Sequence, residues 1–182
     1  MPSHYRDQDS ITLADVLMPD RPILRPNLKF AFAHPAHVIA LGFGTGTSWF
    51  APGTVGTALA FPIYWWLATW LSPYAILALT PFLFILGVWA TGRTARALGV
   101  SDHSGINWDE IVATLVILVF TPPGWGWQLL AFFAFRFFDV VKPPPVRYYD
   151  QTVKGGFGIM LDDILAAAYT LLVIFIARYF LA

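Results

Sequence analysis

Residues 162–176 read DDILAAAYTLLVIFI, two aspartates followed by thirteen residues without a charge. Residues 109–120 repeat the arrangement as DEIVATLVILVF. Carboxylates beside apolar runs are costly to desolvate, so such acids are paired, bound to a cation, or kept wet for a purpose. The chain has only 11 acidic residues in 182, and four of them stand in these two pairs. A third polar group, Arg136, Asp139 and Lys142, lies between them. Acids, bases and glycine-rich turns point together to a metal-dependent phosphate site at the edge of a membrane.

Composition agrees. The chain is 57% hydrophobic and 12% charged, with mean hydropathy +0.62. A soluble domain carries about 25% charged residues. Eight tryptophans and seven tyrosines suit a membrane protein, because amphipathic rings favour the headgroup level. Formal net charge is zero, so there is no footprint for a nucleic-acid partner. The absence of cysteine excludes disulfides, thiolate catalysis and Cys-ligated zinc. The N-terminus is polar to about Lys29, which predicts no signal peptide.

The expected fold is all-α: an integral membrane bundle of four to five membrane-associated helices with a cytoplasm-facing polar site. Residues 1–35 form a polar extension, in which Ile11 to Met18 has the pattern of a short helical turn. Residues 36–182 form the membrane-embedded domain. A glycine-rich segment, Gly42 to Gly56, leads into a first span over 54–71 containing Pro62. A second span covers 74–91, with Pro81 inside it and Gly92-Arg93 closing it. Prolines are tolerated in lipid where neighbours satisfy the backbone. Asp109 to Phe120 and Trp127 to Phe138 are each short of the roughly 20 residues that span a bilayer. With Thr121-Pro-Pro-Gly124 between them they read as a helical hairpin or a re-entrant pair, and both readings leave the polar ends on one side. A last span covers 163–181.

Charge tests the topology. Arg6, Arg21, Arg25 and Lys29 precede the first span, Arg93 and Arg96 follow the second, and Arg136, Lys142, Arg147 and Lys154 follow the hairpin. Even numbers of crossings separate these groups, so the positive-inside rule puts all three in the cytoplasm. The glycine-rich segment and all the acidic groups then converge on one face.

Each element has a plain structural reading beside the functional one. Gly42 to Gly56 is either a helix-packing stretch or a turn whose N–H groups bind phosphate. Asp109 and Glu110 are either first-turn acids facing a helix dipole or cation ligands, and Asp162 and Asp163 invite the same alternatives. Arg136 and Asp139, spaced i and i+3, are either an interfacial ion pair or a phosphate clamp beside a metal ligand. Lys142, before Pro143, is either a capping lysine or a phosphate contact. Lys154-Gly155-Gly156 is either a linker or a cation with exposed N–H groups. The loop bearing Asp102 and His103 reads as solvated.

Taken in order, Gly42-Phe-Gly44 through Ala51-Pro-Gly53-Thr54-Val-Gly56, Trp108-Asp-Glu110, Arg136-Phe-Phe-Asp139 with Lys142-Pro143, and Gly155-Gly-Phe-Gly-Ile-Met160 with Asp162-Asp163 resemble the phosphatidylglycerophosphatase A family. The resemblance covers roughly residues 36–180. It departs at the long N-terminal extension, at Asn107, where an apolar residue usually precedes the triplet, and at the extra proline of Lys142-Pro-Pro-Pro145. It implies a Mg²⁺-dependent lipid phosphatase of the bacterial inner membrane. The enzyme would remove the terminal phosphate of phosphatidylglycerophosphate to give phosphatidylglycerol.

A phosphomonoester carries about −1.5 to −2 charge near pH 7, so a carboxylate-rich phosphatase site requires an intervening cation. Mg²⁺ prefers oxygen ligands. The expected metal set is Asp109, Asp139, Asp162 and Asp163, with Glu110 as ligand or base. Arg136, Lys142 and Lys154 would stabilise the transferring group, and Gly44, Gly53, Thr54, Gly155 and Gly156 would contribute backbone contacts. Catalysis would fall to Asp109, Glu110, Arg136, Asp139, Lys142 and Asp163. The residues leave open direct attack by water or an aspartyl-phosphate intermediate, the headgroup, the oligomeric state, a homo-oligomer included, and, as the alternative within the enzyme class, another membrane lipid phosphate or diphosphate as substrate. Readings from other classes are a small cation channel or transporter and a non-catalytic membrane subunit. Acids at the ends of spans rather than within them count against the channel.

Overall fold

The computed structural model of the protein describes residues 25–181, so the turn expected at Ile11 to Met18 lies outside the described residues. Those residues are helical and include no strand. Two short helices, α1 (Leu28–Ala31) and α2 (Pro35–Ala40), precede a kinked 3-10 turn over Gly42–Thr47. Five longer helices and one short one follow: α3 (Pro52–Ala68), α4 (Pro73–Leu98), α5 (Trp108–Phe120), α6 (Trp125–Val141), the short α7 (Val146–Thr152) and α8 (Gly155–Leu181).

Local sequence explains where the helices start and stop. Pro52 and Pro73 occupy first turns, where a missing N–H costs nothing, and the Ser72 hydroxyl caps α4 by accepting from Ala75 N. Gly99, at φ 72°, closes α4. Thr121 to Gly124 separates α5 from α6, and Pro143 follows the last residues of α6.

The centre of the bundle is α5. Every residue from Trp108 to Leu115 is buried, as are Ile117 and Leu118. On one side Ile111, Val112 and Leu115 pack with Ala60 of α3 and Met160 of α8. On the other, Ala113 and Ile117 pack with Ala131 and Phe135 of α6 and Ala166, Ala167 and Ile174 of α8. At one end, α1 is pinned to α4 through Phe30, Ala31, Ala95 and Leu98. His37 of α2 is buried there, stacked on Phe30 and within 2.9 Å of the Thr94 hydroxyl. Burial lowers its pKa to about 4, with His34 and Arg93 adding to the effect.

Two boundaries differ from expectation. Helix α4 runs through Gly92-Arg93 to Leu98 instead of closing there. Helix α8 begins at Gly155, eight residues before the expected start at Asp163. One contact accounts for both. A Cβ on Gly156 would lie 2.0 Å from Val88 O, and one on Gly92 would lie 3.2 Å from Gly156 N. The glycines therefore let α4 and α8 cross in near backbone contact, as small residues do between membrane helices. Both helices continue through the crossing.

Helices α4 and α8, at 26 and 27 residues, are long and apolar enough to cross a membrane. The 17 residues of α3 and of α6 and the 13 of α5 extend only about 26 Å and about 20 Å at helical rise, so α5 and α6 have the dimensions of the expected short hairpin. All five bring one end to the same pole. The start of α3, α5 and α8 and the end of α4 and α6 gather at one pole. At the other, Trp66, Trp70, Tyr74, Trp125 and Tyr179 are exposed, the residue types of an interfacial belt.

Candidate active site

A cavity of about 220 Å³ opens at the pole where the polar helix ends converge. Its wall contains Asp109, Glu110, Arg136, Asp139, Lys142, Asp162 and Asp163. Every charged group expected there except Lys154 is present, drawn from three separate helices.

The acids differ in how they are held. Asp109 and Glu110 occupy the first turn of α5, where the helix dipole favours negative charge. Asp162 and Asp163 lie about two turns inside α8 and gain nothing from its terminus. All four are more than 90% buried. Arg136 Nη1 lies 2.7 Å from Asp139 Oδ2 and 3.6 Å from Glu110 Oε1, so one guanidinium joins α6 to α5. It also donates to the Thr57 hydroxyl at 3.4 Å, whose own proton goes to Gly53 O. Lys142 caps α6 and pairs with both Asp162 and Asp150. Burial alone would lower the Lys142 ammonium; Asp162 and Asp150 outweigh it and hold the pKa above its ordinary value.

These partners leave a deficit. The five expected acids outnumber the two bases by three. Asp109 Oδ1, Glu110 Oε2, Asp162 Oδ1 and Asp163 Oδ2 are buried with no hydrogen-bond partner among the described residues. Buried polar atoms are otherwise almost always satisfied. Asp109, Glu110 and Asp163 each offer an oxygen within 4.8 Å of the others, a group able to hold a metal ion. A hard, oxygen-preferring divalent cation fits this donor set, in which those three acids supply only carboxylate oxygens. Asp139 and Asp162 stand beside the trio, each also held by a base.

The glycine-rich segment reaches the cavity near its end, through Ala51, Pro52 and Gly53. Gly53 lines the cavity, and a Cβ there would sit 2.1 Å from Glu110 Oε1 and 3.2 Å from Arg136 Nη1. Ala51 beside it, at φ 41°, and Lys142, at φ 46°, are non-glycine residues in the left-handed region. Such strain is retained where the surroundings enforce it, and here both positions line the cavity. The wall does not include Gly44, Thr54, Lys154, Gly155 or Gly156. Gly44 rests against Leu28 and Phe32, Gly156 against α4, and the Lys154 ammonium donates to Asp150 O.

Sequence reasoning gave no role in the site to Asn107, Thr57, Asp150 or the loop Asp102 to Ser104. Asn107 is fully buried and donates to Thr45 Oγ1 and to Pro52 O, tying the glycine-rich segment to the start of α5. A polar residue directly before an acidic pair was the available signal. Asp150 shares Lys142, and its place eight residues downstream across three prolines hid the contact. Asp102, His103 and Ser104, read as a solvated loop, line the cavity. The loop is ordered from within, since His103 Nδ1 accepts from Gly105 N at 2.9 Å.

Buried carboxylates and two bases around one cavity, at a pole of a bundle with two membrane-length helices, are the parts that a membrane-associated hydrolase of phosphate esters requires. Comparison with known proteins makes the assignment particular: the phosphatidylglycerophosphatase A family model matches residues 38–178, and the chain belongs to that family. It is accordingly a phosphoric monoester hydrolase. A protein of Haemophilus influenzae named phosphatidylglycerophosphatase A is 40% identical over 157 residues, covering 86% of this chain and 96% of its own. One of the same name from Escherichia coli K12 is 41% identical over 140 residues, covering 76% and 80%. A Bacteroides thetaiotaomicron protein named putative phosphatidylinositol-3-phosphatase is 41% identical over 150 residues, covering 78% and 92%. No solved structure matches the chain.

Proposed function

We propose that the protein is a Mg²⁺-dependent phosphatase that removes the terminal phosphate of phosphatidylglycerophosphate to give phosphatidylglycerol, a step of phospholipid biosynthesis. It would act as a multi-pass protein of the bacterial inner membrane with its cavity toward the cytoplasm. The observation that carries this reading is the trio Asp109, Glu110 and Asp163, whose oxygens converge unsatisfied beside Arg136 and Lys142. The positive-inside distribution of Arg93, Arg96, Lys142 and Lys154 supports the orientation, and the names of the relatives support the substrate.

Asp109, Glu110 and Asp163 would hold the cation, with Asp139 and Asp162 beside them. When bound, Mg²⁺ supplies charge neutralisation and Lewis acidity toward phosphate oxygens. Arg136 and Lys142 offer N–H donors toward the equatorial oxygens, where charge accumulates in phosphoryl transfer. In direct hydrolysis, water forms the new P–O bond as the bond to the glycerol oxygen breaks; where Glu110 serves as base rather than ligand, it takes the water's proton and returns one to the departing glycerol oxygen. On the alternative route an aspartate takes the phosphoryl group first. Hydroxylamine-labile phosphate trapped on the protein by rapid quench would identify that route. The cavity volume of about 220 Å³ accepts a phosphate and adjoining glycerol but not a diacyl lipid. A site at a helical pole requires only that the phosphate reach headgroup level.

The test is phosphate release from phosphatidylglycerophosphate, phosphatidylinositol 3-phosphate and phosphatidic acid in detergent micelles, with Mg²⁺ or EDTA. Mg²⁺-dependent release favouring the first supports the proposal. Preference for the second, the activity named for the Bacteroides relative, moves the headgroup and keeps the chemistry. Cation flux in liposomes without release from any lipid would replace it with the channel reading.

A further inference from the structure

Trp49 and Phe50 are 84% and 85% exposed, yet neither lies on a membrane-length helix. They occupy the connector between the 3-10 turn and α3. The connector is held in shape: Ser48 N donates to Thr45 O, and the Ser48 hydroxyl donates to Phe50 O, each at 3.0 Å. The next three residues, Ala51, Pro52 and Gly53, are cavity wall. Beside this connector, α1 buries Phe30 while Leu28 and Phe32 remain 60% and 62% exposed. Arg25 sets its guanidinium 5.9 Å from the centroid of the Trp49 ring, and Lys29 is exposed on the same short helix as Leu28.

We infer that Trp49 and Phe50, flanked by Leu28 and Phe32, form an interfacial anchor. It inserts at headgroup level into the leaflet bordering the cavity, with Arg25 and Lys29 against anionic lipid phosphates. The occupant is the bilayer because aromatic rings interleaved with basic side chains match the headgroup region, apolar below and anionic above. The segment is too short to enter further, since α1 has four residues and the 3-10 turn six. Continuity with Ala51 to Gly53 gives the anchor its use: a lipid beside Phe50 has its headgroup next to the cavity mouth. This last point rests on the lipid phosphatase reading; the anchor itself does not.

The chain contains no cysteine, so Phe50→Cys can carry a single environment-sensitive nitrobenzoxadiazole label. In nanodiscs of phosphatidylcholine with phosphatidylglycerol, the anchor requires blue-shifted emission, quenching by doxyl groups on lipid chains and protection from iodide. Emission and iodide quenching equal to those of the free label would overturn it, whatever the protein's activity. In the second arm, Trp49→Ala with Phe50→Ala raises the interfacial KM in mixed micelles about tenfold while hydrolysis of a short-chain monomeric substrate is unchanged. Equal loss on both substrates together with a lowered Tm would mean that the pair packs within the protein, and would also overturn it.

Discussion

The two acidic pairs look alike in sequence and are supported by different physics. Asp109-Glu110 opens α5, where first-turn carboxylates sit at the positive end of the helix dipole. Asp162-Asp163 lies inside α8, where backbone N–H groups are already committed to the helix. Lys142 serves Asp162, but Asp163 Oδ2 has no partner among the described residues. A helix start offsets part of the cost of burying its acids; acids buried within a helix depend on a cationic partner, as Asp162 does on Lys142. Both pairs leave buried oxygens without partners, and of the three acids able to hold an ion α5 offers two and α8 one; what differs is the helix-end support that only the first pair has.

The largest effects should come from the pairs themselves. Asp109→Asn and Asp163→Asn should each lower kcat by about 10²–10³-fold with the helical fold intact by circular dichroism. Thermal melts in EDTA separate the two: removing an unsupported buried charge stabilises, so Asp163→Asn should raise Tm more than Asp109→Asn. Equal shifts would mean that the two pairs are held alike.

Lys142→Met strikes the partnered member of the second pair. It leaves Asp162 buried without its base, which should cost about 3 kcal/mol in denaturant unfolding. Adding Asp162→Asn should restore much of the loss. A Lys142→Met protein of unchanged stability would show that the ion pair is not what holds Asp162.

Glycines sharpen the contrast at the α5 end. Gly53→Ala pushes a methyl into Glu110 and Arg136, and kcat should fall about tenfold with a smaller change in Tm. Gly126→Ala in α6, where a Cβ meets nothing within 4 Å, should leave activity alone and stabilise by about 0.5 kcal/mol.

The smallest effect concerns a buried titratable group away from the cavity. Burial lowers the His37 pKa to about 4 from an ordinary 6.5. Below pH 6.5 the unfolded chain takes up a proton that the folded chain refuses, so stability is complete above that pH and declines as pH falls toward 4. His37→Gln should flatten this part of the pH–Tm curve.

Much of this was legible in the sequence. The all-helical class, the short α5–α6 hairpin and the convergence of polar ends on one pole follow from apolar run lengths and from charges confined to turns. Helix ends at Gly92 and Asp163 were misjudged because glycine and paired aspartate read as boundaries in isolation. The α4–α8 crossing supplies the tertiary reason for the glycines, and the cavity a setting for the aspartates. The acids and bases of the cavity were legible because charge is scarce in this chain. The roles of Asn107, Thr57 and Asp150 were not, since each depends on a partner between 8 and 79 residues away. The glycine-rich segment was read either as a helix-packing stretch or as a turn binding phosphate; of its glycines only Gly53 reaches the wall, beside Ala51 and Pro52.

The central claim is that carboxylates from α5 and α8 share one divalent cation. Its most direct test is Mn²⁺ binding, followed by electron paramagnetic resonance, to detergent-solubilised wild type, Asp109→Asn and Asp163→Asn, with Mg²⁺ as competitor. The account predicts Mg²⁺-displaceable binding to wild type and a large loss of affinity in both single variants. Wild-type Mn²⁺ affinity in either variant would contradict it.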